Sequence, residues 1–277
     1  DRYADYAVFS WYNETLYQKK AELLTAFRTV YPDIIGAYEK IRFSTKDLPE
    51  SQFLYGEQAP EPLLVTENGV QFATYLNEGL MTGIFLDQKE VRKKLRDQYA
   101  KERHVLNLFS YTGAFSVIAA SEASSTTSVD LANRSRSLTE ENFGLNAIDP
   151  KSQYIYVMDT FDFYKYAARH GHSYDTIVID PPSFARNKKR TFSVQKDYDK
   201  LINGALNILS SEGTLLLCTN ASVYPLKQFK NTIKKTLEES GVDYELTEVM
   251  GLPKDFKTHP HYKPSKYLKA VFVNIRH

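Results

Sequence analysis

Apolar positions along the chain change their period several times, and each change predicts an element. Residues 6 to 12, nearly all aromatic or apolar around Ser10, read as a strand. From 16 to 30 the apolar residues Leu16, Leu23, Leu24, Phe27 and Val30 fall at helical spacing, and Pro32-Asp33 ends that helix. An alternating run follows from 37 to 43. In residues 63 to 75 two strand patterns flank Glu67-Asn68-Gly69, because Asn-Gly accepts the left-handed backbone of a two-residue hairpin turn. Residues 1 to 78 thus read as a small α+β domain of strand, helix and three further strands. A Lys- and Arg-rich helix from 85 to 99 leads out of it.

Beyond His104, strand-like and helix-like runs alternate: 105 to 109 then 113 to 120, 127 to 130 then 132 to 143, 154 to 158 then 161 to 169. The series continues with 176 to 179 and 198 to 209, then 214 to 218 and 226 to 239. Parallel strands with crossover helices on both faces give this pattern, so residues 79 to 277 are expected to form a Rossmann-like, doubly wound, mostly parallel sheet. Two last β-rich runs, 245 to 250 and 269 to 275, have no helix between them and predict an antiparallel pair at the sheet edge. In α/β sheets of this kind ligands sit outside the carboxyl ends of the strands, where strand order reverses.

Composition narrows the field. The 277 residues are 42% apolar and 25% charged, as in ordinary globular proteins. No apolar run approaches the roughly 18 residues of a membrane helix and no signal-peptide layout is present, so we expect no membrane partner and a cytoplasmic location. Cys218 stands alone, which excludes an internal disulfide and a Cys-x-x-Cys zinc site. His170 and His172, like His259 and His261, lack acidic companions at ligand spacing and read as surface or packing residues; no metal is expected. The net charge of +1 argues against a uniformly basic sleeve for nucleic acid but admits a local patch, Arg186-Asn187-Lys188-Lys189-Arg190. Twenty Tyr and sixteen Phe supply a core and a few rings to stack on bases. The chain opens on Asp1 without Met and reads as part of something longer. A homodimer stays open.

Candidate chemistry falls at the predicted strand ends. Ser110-Tyr111-Thr112-Gly113-Ala114-Phe115 leaves the first strand of the larger sheet, where glycine permits a tight turn and close approach to a ligand. A dinucleotide pyrophosphate normally calls for Gly-x-Gly-x-x-Gly. One glycine points instead to a cofactor without pyrophosphate and away from a nicotinamide-dependent oxidoreductase. Asp130, ending the second strand, can accept both hydroxyls of a ribose or cap the next helix. Asp159, after the third, can meet an adenine amino edge or cap its own helix. Asp180-Pro181-Pro182-Ser183-Phe184 ends the fourth: its prolines stiffen the turn and remove donors, so Asp180 and nearby carbonyls face a ligand as acceptors. Phe184 either stacks on a base or lies in the core.

In that order, these features resemble the class I S-adenosylmethionine-dependent methyltransferases. Thr82-Gly83-Ile84-Phe85-Leu86-Asp87-Gln88-Lys89, Leu106-Asn107-Leu108-Phe109-Ser110-Tyr111-Thr112-Gly113-Ala114-Phe115, Asn142-Phe143-Gly144-Leu145-Asn146 and Asp180-Pro181-Pro182-Ser183-Phe184 look more closely like bacterial large-subunit rRNA methyltransferases of the RlmI and RlmK type, over essentially the whole chain. The resemblance implies S-adenosyl-L-methionine as cofactor and S-adenosyl-L-homocysteine as product. Around it would lie Gln88, Lys89, Asn107, Phe109, Ser110, Tyr111, Thr112, Gly113, Ala114, Asp130, Asp159 and Asp180. It also implies RNA, 23S rRNA in particular, as partner, and a small domain, a candidate for RNA binding, before the methyltransferase domain. In RlmI-like members a PUA domain would precede Asp1-Arg2-Tyr3.

The target atom turns on the cysteine. Cytosine C5 becomes nucleophilic only after a thiolate adds at C6, whereas guanine N7 attacks with its own lone pair. RlmI-like enzymes carry the catalytic cysteine in a Ser-Cys-Ser segment after the fifth strand. Here Asn220 stands at that position, Thr219-Asn220 resembles the Ser-Asn of RlmK-like guanine N7 enzymes, and Cys218 reads as a buried strand residue. We therefore expect a flipped base held by Asp180, Pro181, Phe184 and Asn220, with a nitrogen acceptor favoured over cytosine C5. The alternative is a catalytically inactive RNA-binding or ribosome-assembly protein on the same fold.

Overall fold

The computed structural model describes residues 1–186 and 191–276. The chain divides into two units, Asp1–Leu86 and Asp87–His277, a boundary somewhat later than residue 78.

In the first unit β1 (Arg2–Tyr3), β2 (Tyr6–Trp11), β3 (Gly36–Ile41) and β4 (Ser51–Gly56) form one sheet in that order, with β2 and β3 parallel and the outer pairs antiparallel. Two helices, not the single one predicted, connect β2 to β3: α1 (Glu14–Tyr17) and α2 (Lys20–Val30). Asn13 accepts a hydrogen bond from the Leu16 amide and starts the first turn early, while Tyr17 packs edge-on against Trp11. The expected apolar face is incompletely covered, and Leu16 and Val30 are exposed. β5 (Leu63–Glu67) and β6 (Val70–Thr74) make the anticipated hairpin, with φ of 51° at Asn68 and 82° at Gly69, but as a separate two-stranded ribbon. The predicted strand order also lacked β1 and β4. β1 is too short to show a period, and β4 is half-buried from Ser51 to Tyr55 and exposed at Gly56, with no clean alternation to announce it.

The second unit begins with α3 (Lys89–Lys94). There follow β7 (His104–Leu108), α4 (Ala114–Ala119), β8 (Ser125–Asp130), α5 (Arg134–Leu145), β9 (Tyr154–Val157), α6 (Thr160–Arg169) and β10 (Tyr174–Ile179). A short hairpin of β11 (Phe184–Arg186) and β12 (Thr191–Ser193) precedes α7 (Val194–Leu206), β13 (Leu209–Thr219), α8 (Leu226–Glu239), β14 (Asp243–Met250) and β15 (Lys269–Arg276). The large sheet has the order β14-β15-β13-β10-β7-β8-β9. Every pair is parallel except those made by β15, which returns between β13 and β14.

Alternate residues of each central strand serve opposite layers. Ile177, Ile179, Leu215 and Leu217 pack with Tyr198, Leu201, Ile202 and Ala205 of α7 and with Phe229, Ile233 and Leu237 of α8. Val178, Leu216 and Cys218 pack on the other face with Val91 of α3 and Phe115 of α4. The apolar stripes of α7 and α8 recur every three or four residues, and each large side chain they bury contributes roughly 1.5–3 kcal/mol. With both faces covered, open access remains at the strand ends. Strand order reverses between β7 and β10, so their carboxyl ends diverge into loops that leave a crevice. No described helix is long and apolar enough to cross a membrane.

Candidate active site

After β7 the chain turns through Phe109-Ser110-Tyr111-Thr112-Gly113. Gly113 has φ 75°, the conformation expected of the one glycine, but Phe109 at 59° and Tyr111 at 52° are left-handed as well. That conformation costs a bulky L-residue about 1–2 kcal/mol, so the loop keeps its shape only because its surroundings fix it. The Ser110 amide donates to the Val129 carbonyl (3.0 Å), the Tyr111 amide to Asp130 Oδ2 (2.9 Å), and Asn142 Nδ2 of α5 to the Thr112 carbonyl (2.9 Å). Gly113 is required twice over, since a Cβ there would lie 2.5 Å from Thr139 Cγ2. Ser110 and Thr112 are buried, whereas Phe109, Tyr111 and Ala114 are half-buried at the mouth of the loop.

The two acids expected on this side already have structural duties. Asp130 Oδ1 accepts from the Ala132 amide (2.8 Å) while Oδ2 braces Tyr111; α5 starts only at Arg134, so Asp130 ties two loops together rather than capping the helix. Asp159 is the N-cap of α6, with Oδ1 accepting from the amides of Phe161 (3.0 Å) and Asp162 (3.4 Å). Any ligand contact made by Asp159 shares the carboxylate with that cap. Asn107 is buried and donates through Nδ2 to Ser116 Oγ of α4 (3.2 Å).

Across the crevice, Asp180 follows β10. Gln88 Nε2, immediately before α3, donates to Asp180 Oδ2 (2.8 Å). Loss of solvation raises the Asp180 carboxyl to about 6; the Asp87 charge adds to this, while the Gln88 hydrogen bond and the Arg92 guanidinium oppose it. The other end of the Gln88 amide, Oε1, is buried with no partner among the described residues. Lys89 does not follow its neighbour: its ammonium pairs with Asp255.

Pro181 is buried, and Phe184 is 63% exposed, which rules out its reading as a core ring. Ser183 Oγ donates to Asn220 Oδ1 (3.1 Å), so the Asp-Pro-Pro turn touches the exposed residue that follows β13. Beneath them the buried Tyr198 hydroxyl reaches the carbonyls of Ile179 (3.0 Å) and Cys218 (2.8 Å), fastening the ends of β10 and β13. Lys269 Nζ, lowered by burial to about 8, donates to the carbonyls of Ala221 (2.6 Å) and Tyr224 (2.9 Å) in the loop that carries Asn220. Sequence reasoning missed Tyr198, Lys269 and Thr139. Asn142 had a signal, since it opens the Asn142-Phe143-Gly144 motif. Of the basic run from 186 to 190, Arg186 ends β11 and the other four residues lie outside the described residues. His170 and His172 pack against Tyr166, with ring centroids 4.2 and 5.8 Å away.

The crevice therefore offers acceptors: the carboxylates of Asp130, Asp159 and Asp180, and the orphaned Gln88 Oε1. A pyrophosphate would be repelled by three carboxylates, whereas a ligand bearing ribose hydroxyls, an amino edge and an ammonium would be complementary. A family model described as S-adenosylmethionine-dependent methyltransferase matches residues 38–273. The chain belongs to that family. The enzyme is 44% identical over 276 residues to YwbD of Bacillus subtilis, provisionally named a ribosomal RNA large subunit methyltransferase, covering 99% of this chain and 70% of YwbD. It is 38% identical over 195 residues to the ribosomal RNA large subunit methyltransferase K of Neisseria meningitidis serogroup B, covering 69% of this chain and 55% of that protein. Among solved structures, SMU.776, provisionally named a methyltransferase and crystallised with S-adenosylhomocysteine, superposes with a TM-score of 0.92 at 49% identity, covering 98% of this chain and 70% of its own. These similarities put the enzyme with the RlmI and RlmK type. Its cofactor is S-adenosylmethionine, whose hydroxyls, adenine amine and methionyl ammonium are donors of the kind this crevice calls for.

Proposed function

We propose that the enzyme methylates a base of 23S rRNA in the cytoplasm, at a nitrogen such as guanine N7 in preference to cytosine C5. The rRNA part of this reading draws on the large-subunit methyltransferases to which the chain is similar. The observation that carries the choice of atom is the setting of Cys218. Its thiol is fully buried in the sheet layer with Val178 and Leu216, and burial pushes it well above the usual thiol range, so no thiolate is available to add to a cytosine ring. Asn220 is exposed at the site instead.

Bound S-adenosylmethionine supplies a methyl group on a sulfonium, already activated for in-line displacement. The protein's task is placement, which can be worth roughly 7–11 kcal/mol. Asn220 Oδ1 is taken by Ser183, which leaves Nδ2 to donate to a base carbonyl such as guanine O6. The Asp180 carboxylate accepts base N–H groups, Pro181 and Pro182 hold the turn rigid, and Phe184 offers a ring face. Stacking returns about 1–3 kcal/mol per base against a few kcal/mol for extrusion.

Mapping methylation in 23S rRNA from cells with and without the protein tests this directly. One guanine should lose its N7 methyl group in the deleted strain; loss at a cytosine C5, or at no nucleotide, overturns the reading. Asn220→Ala should impair turnover more than S-adenosylhomocysteine binding, and unchanged turnover would remove Asn220 from the proposed role.

A further inference from the structure

The segment joining β14 to β15 carries a charge that the catalytic crevice leaves unused. Met250 pairs with Ala270 and Thr219 with Lys269, so residues 251 to 268 leave and re-enter the sheet at the edge where Asp180 and Asn220 lie. The segment contains Lys254, Lys257, Lys263 and Lys266, and its single acid is Asp255, whose charge Lys89 neutralises. All four lysines are exposed, and no ion pair among the described residues takes up their ammonium groups. Aromatic groups are interleaved with them: Phe256, half-buried, and Tyr262, 61% exposed, with the exposed rings of His259 and His261 between. Lys254, Phe256, Lys257, Thr258 and Lys266 share the wall of a concavity of about 430 Å³.

We propose that this segment is a docking surface for the sugar-phosphate backbone of RNA next to the flipped nucleotide. The inference rests on the RNA reading above and adds to it the surface that holds the strand. Unpaired ammonium groups around a concavity neutralise phosphates, and rings between them stack on bases that follow no fixed sequence. Such contacts position the strand, while Asp180 and Asn220 read the base. The ion pair of Lys89 with Asp255 anchors the segment to the residue adjoining Gln88, which itself holds Asp180. An acidic protein would meet the same charge, but it would have no use for the interleaved rings at the mouth of a base-binding crevice.

The test uses the full chain and a fluorescein-labelled single-stranded oligoribonucleotide, followed by anisotropy across a range of potassium chloride. The Lys254→Gln, Lys257→Gln, Lys266→Gln triple variant should bind at least about tenfold more weakly, and its salt slope should fall by about 2, roughly 0.7 for each phosphate that is no longer neutralised. S-adenosylhomocysteine affinity and kcat should hold while KM for rRNA rises. The control pair Lys101→Gln, Lys151→Gln, exposed at the amino ends of β7 and β9, should leave all of these unchanged. A triple variant that keeps wild-type affinity and slope, in an enzyme that still methylates rRNA, overturns the surface and leaves the function standing. A wild-type chain with no affinity for RNA overturns both. Loss of binding to polyglutamate with RNA affinity intact overturns the surface in favour of an acidic protein.

Discussion

The two halves of the crevice are held by different means. After β7, β8 and β9 the backbone does the shaping: left-handed residues at 109, 111 and 113, Asp130 bracing the amides of Tyr111 and Ala132, Asp159 capping α6. After β10 and β13, side chains from distant parts of the sequence clamp the strand ends: Gln88 on Asp180, Tyr198 on Ile179 and Cys218, Lys269 on Ala221 and Tyr224. The first half is a fixed receptor, its β7 loop held by bonds from the end of β8 and from α5. In the second, the geometry depends on packing elsewhere, so a change beneath the sheet can disturb it while the β7 loop keeps its shape.

Gly113→Ala should strike hardest. A Cβ forced against Thr139 in a left-handed conformation should cost about 2–4 kcal/mol in urea unfolding and weaken S-adenosylhomocysteine binding in calorimetry by at least about tenfold. Adding Thr139→Ala should restore part of both; normal cofactor affinity in the single variant would contradict the fixed-receptor account.

Asp180→Asn should lower turnover by about a hundredfold while changing cofactor affinity less. Its effect on stability has the opposite sign. Because the native carboxyl titrates near 6 and the unfolded one near 3.8, the native state holds its proton more tightly, and stability drops as pH rises through that window. At pH 7 the penalty is fully present, so the Asn variant should melt at a higher temperature than wild type. Wild-type kcat/KM should decline below pH about 6 as the carboxylate is protonated. An unchanged or lowered Tm in the variant would mean that Asp180 is not held against its solvation.

Tyr198→Phe removes the single hydroxyl proton shared by the Ile179 and Cys218 carbonyls and should cost about 1–3 kcal/mol. Turnover should fall a few-fold with S-adenosylhomocysteine affinity intact. An equal fall in both would erase the distinction between the halves. Cys218→Ala should do least, costing about 1 kcal/mol through a small cavity and leaving turnover unchanged. Complete loss of transfer with the cofactor still bound would revive thiolate chemistry.

The same division explains what could be read in advance. The alternation of β7 to α8, the Asn68-Gly69 hairpin and the order of acids after successive strands are local patterns, and the large sheet, its antiparallel β14–β15 pair and the methyl-donor family follow from them. Phe109 and Tyr111 in left-handed conformations were invisible, because nothing in an aromatic residue announces a positive φ that its neighbours impose. Tyr198 and Lys269 look like ordinary members of α7 and β15 until the strands they clamp are brought together. Lys89 adjoins Gln88, which bonds Asp180, yet its own ammonium pairs with an acid far along the chain. In the first unit, the chain breaks into α1 and α2 at Gln18 and Lys19, within a run whose apolar spacing continues through the break.

Cys218 is the one thiol of the chain and has no exposed surface. A thiol reagent can reach it only when the centre of the sheet opens, so its labelling rate in native buffer reports the free energy of that opening. Any ligand bound to the closed form slows labelling in proportion to its occupancy. The enzyme thus contains its own gauge of cofactor affinity, readable with no RNA present and no methyl group transferred.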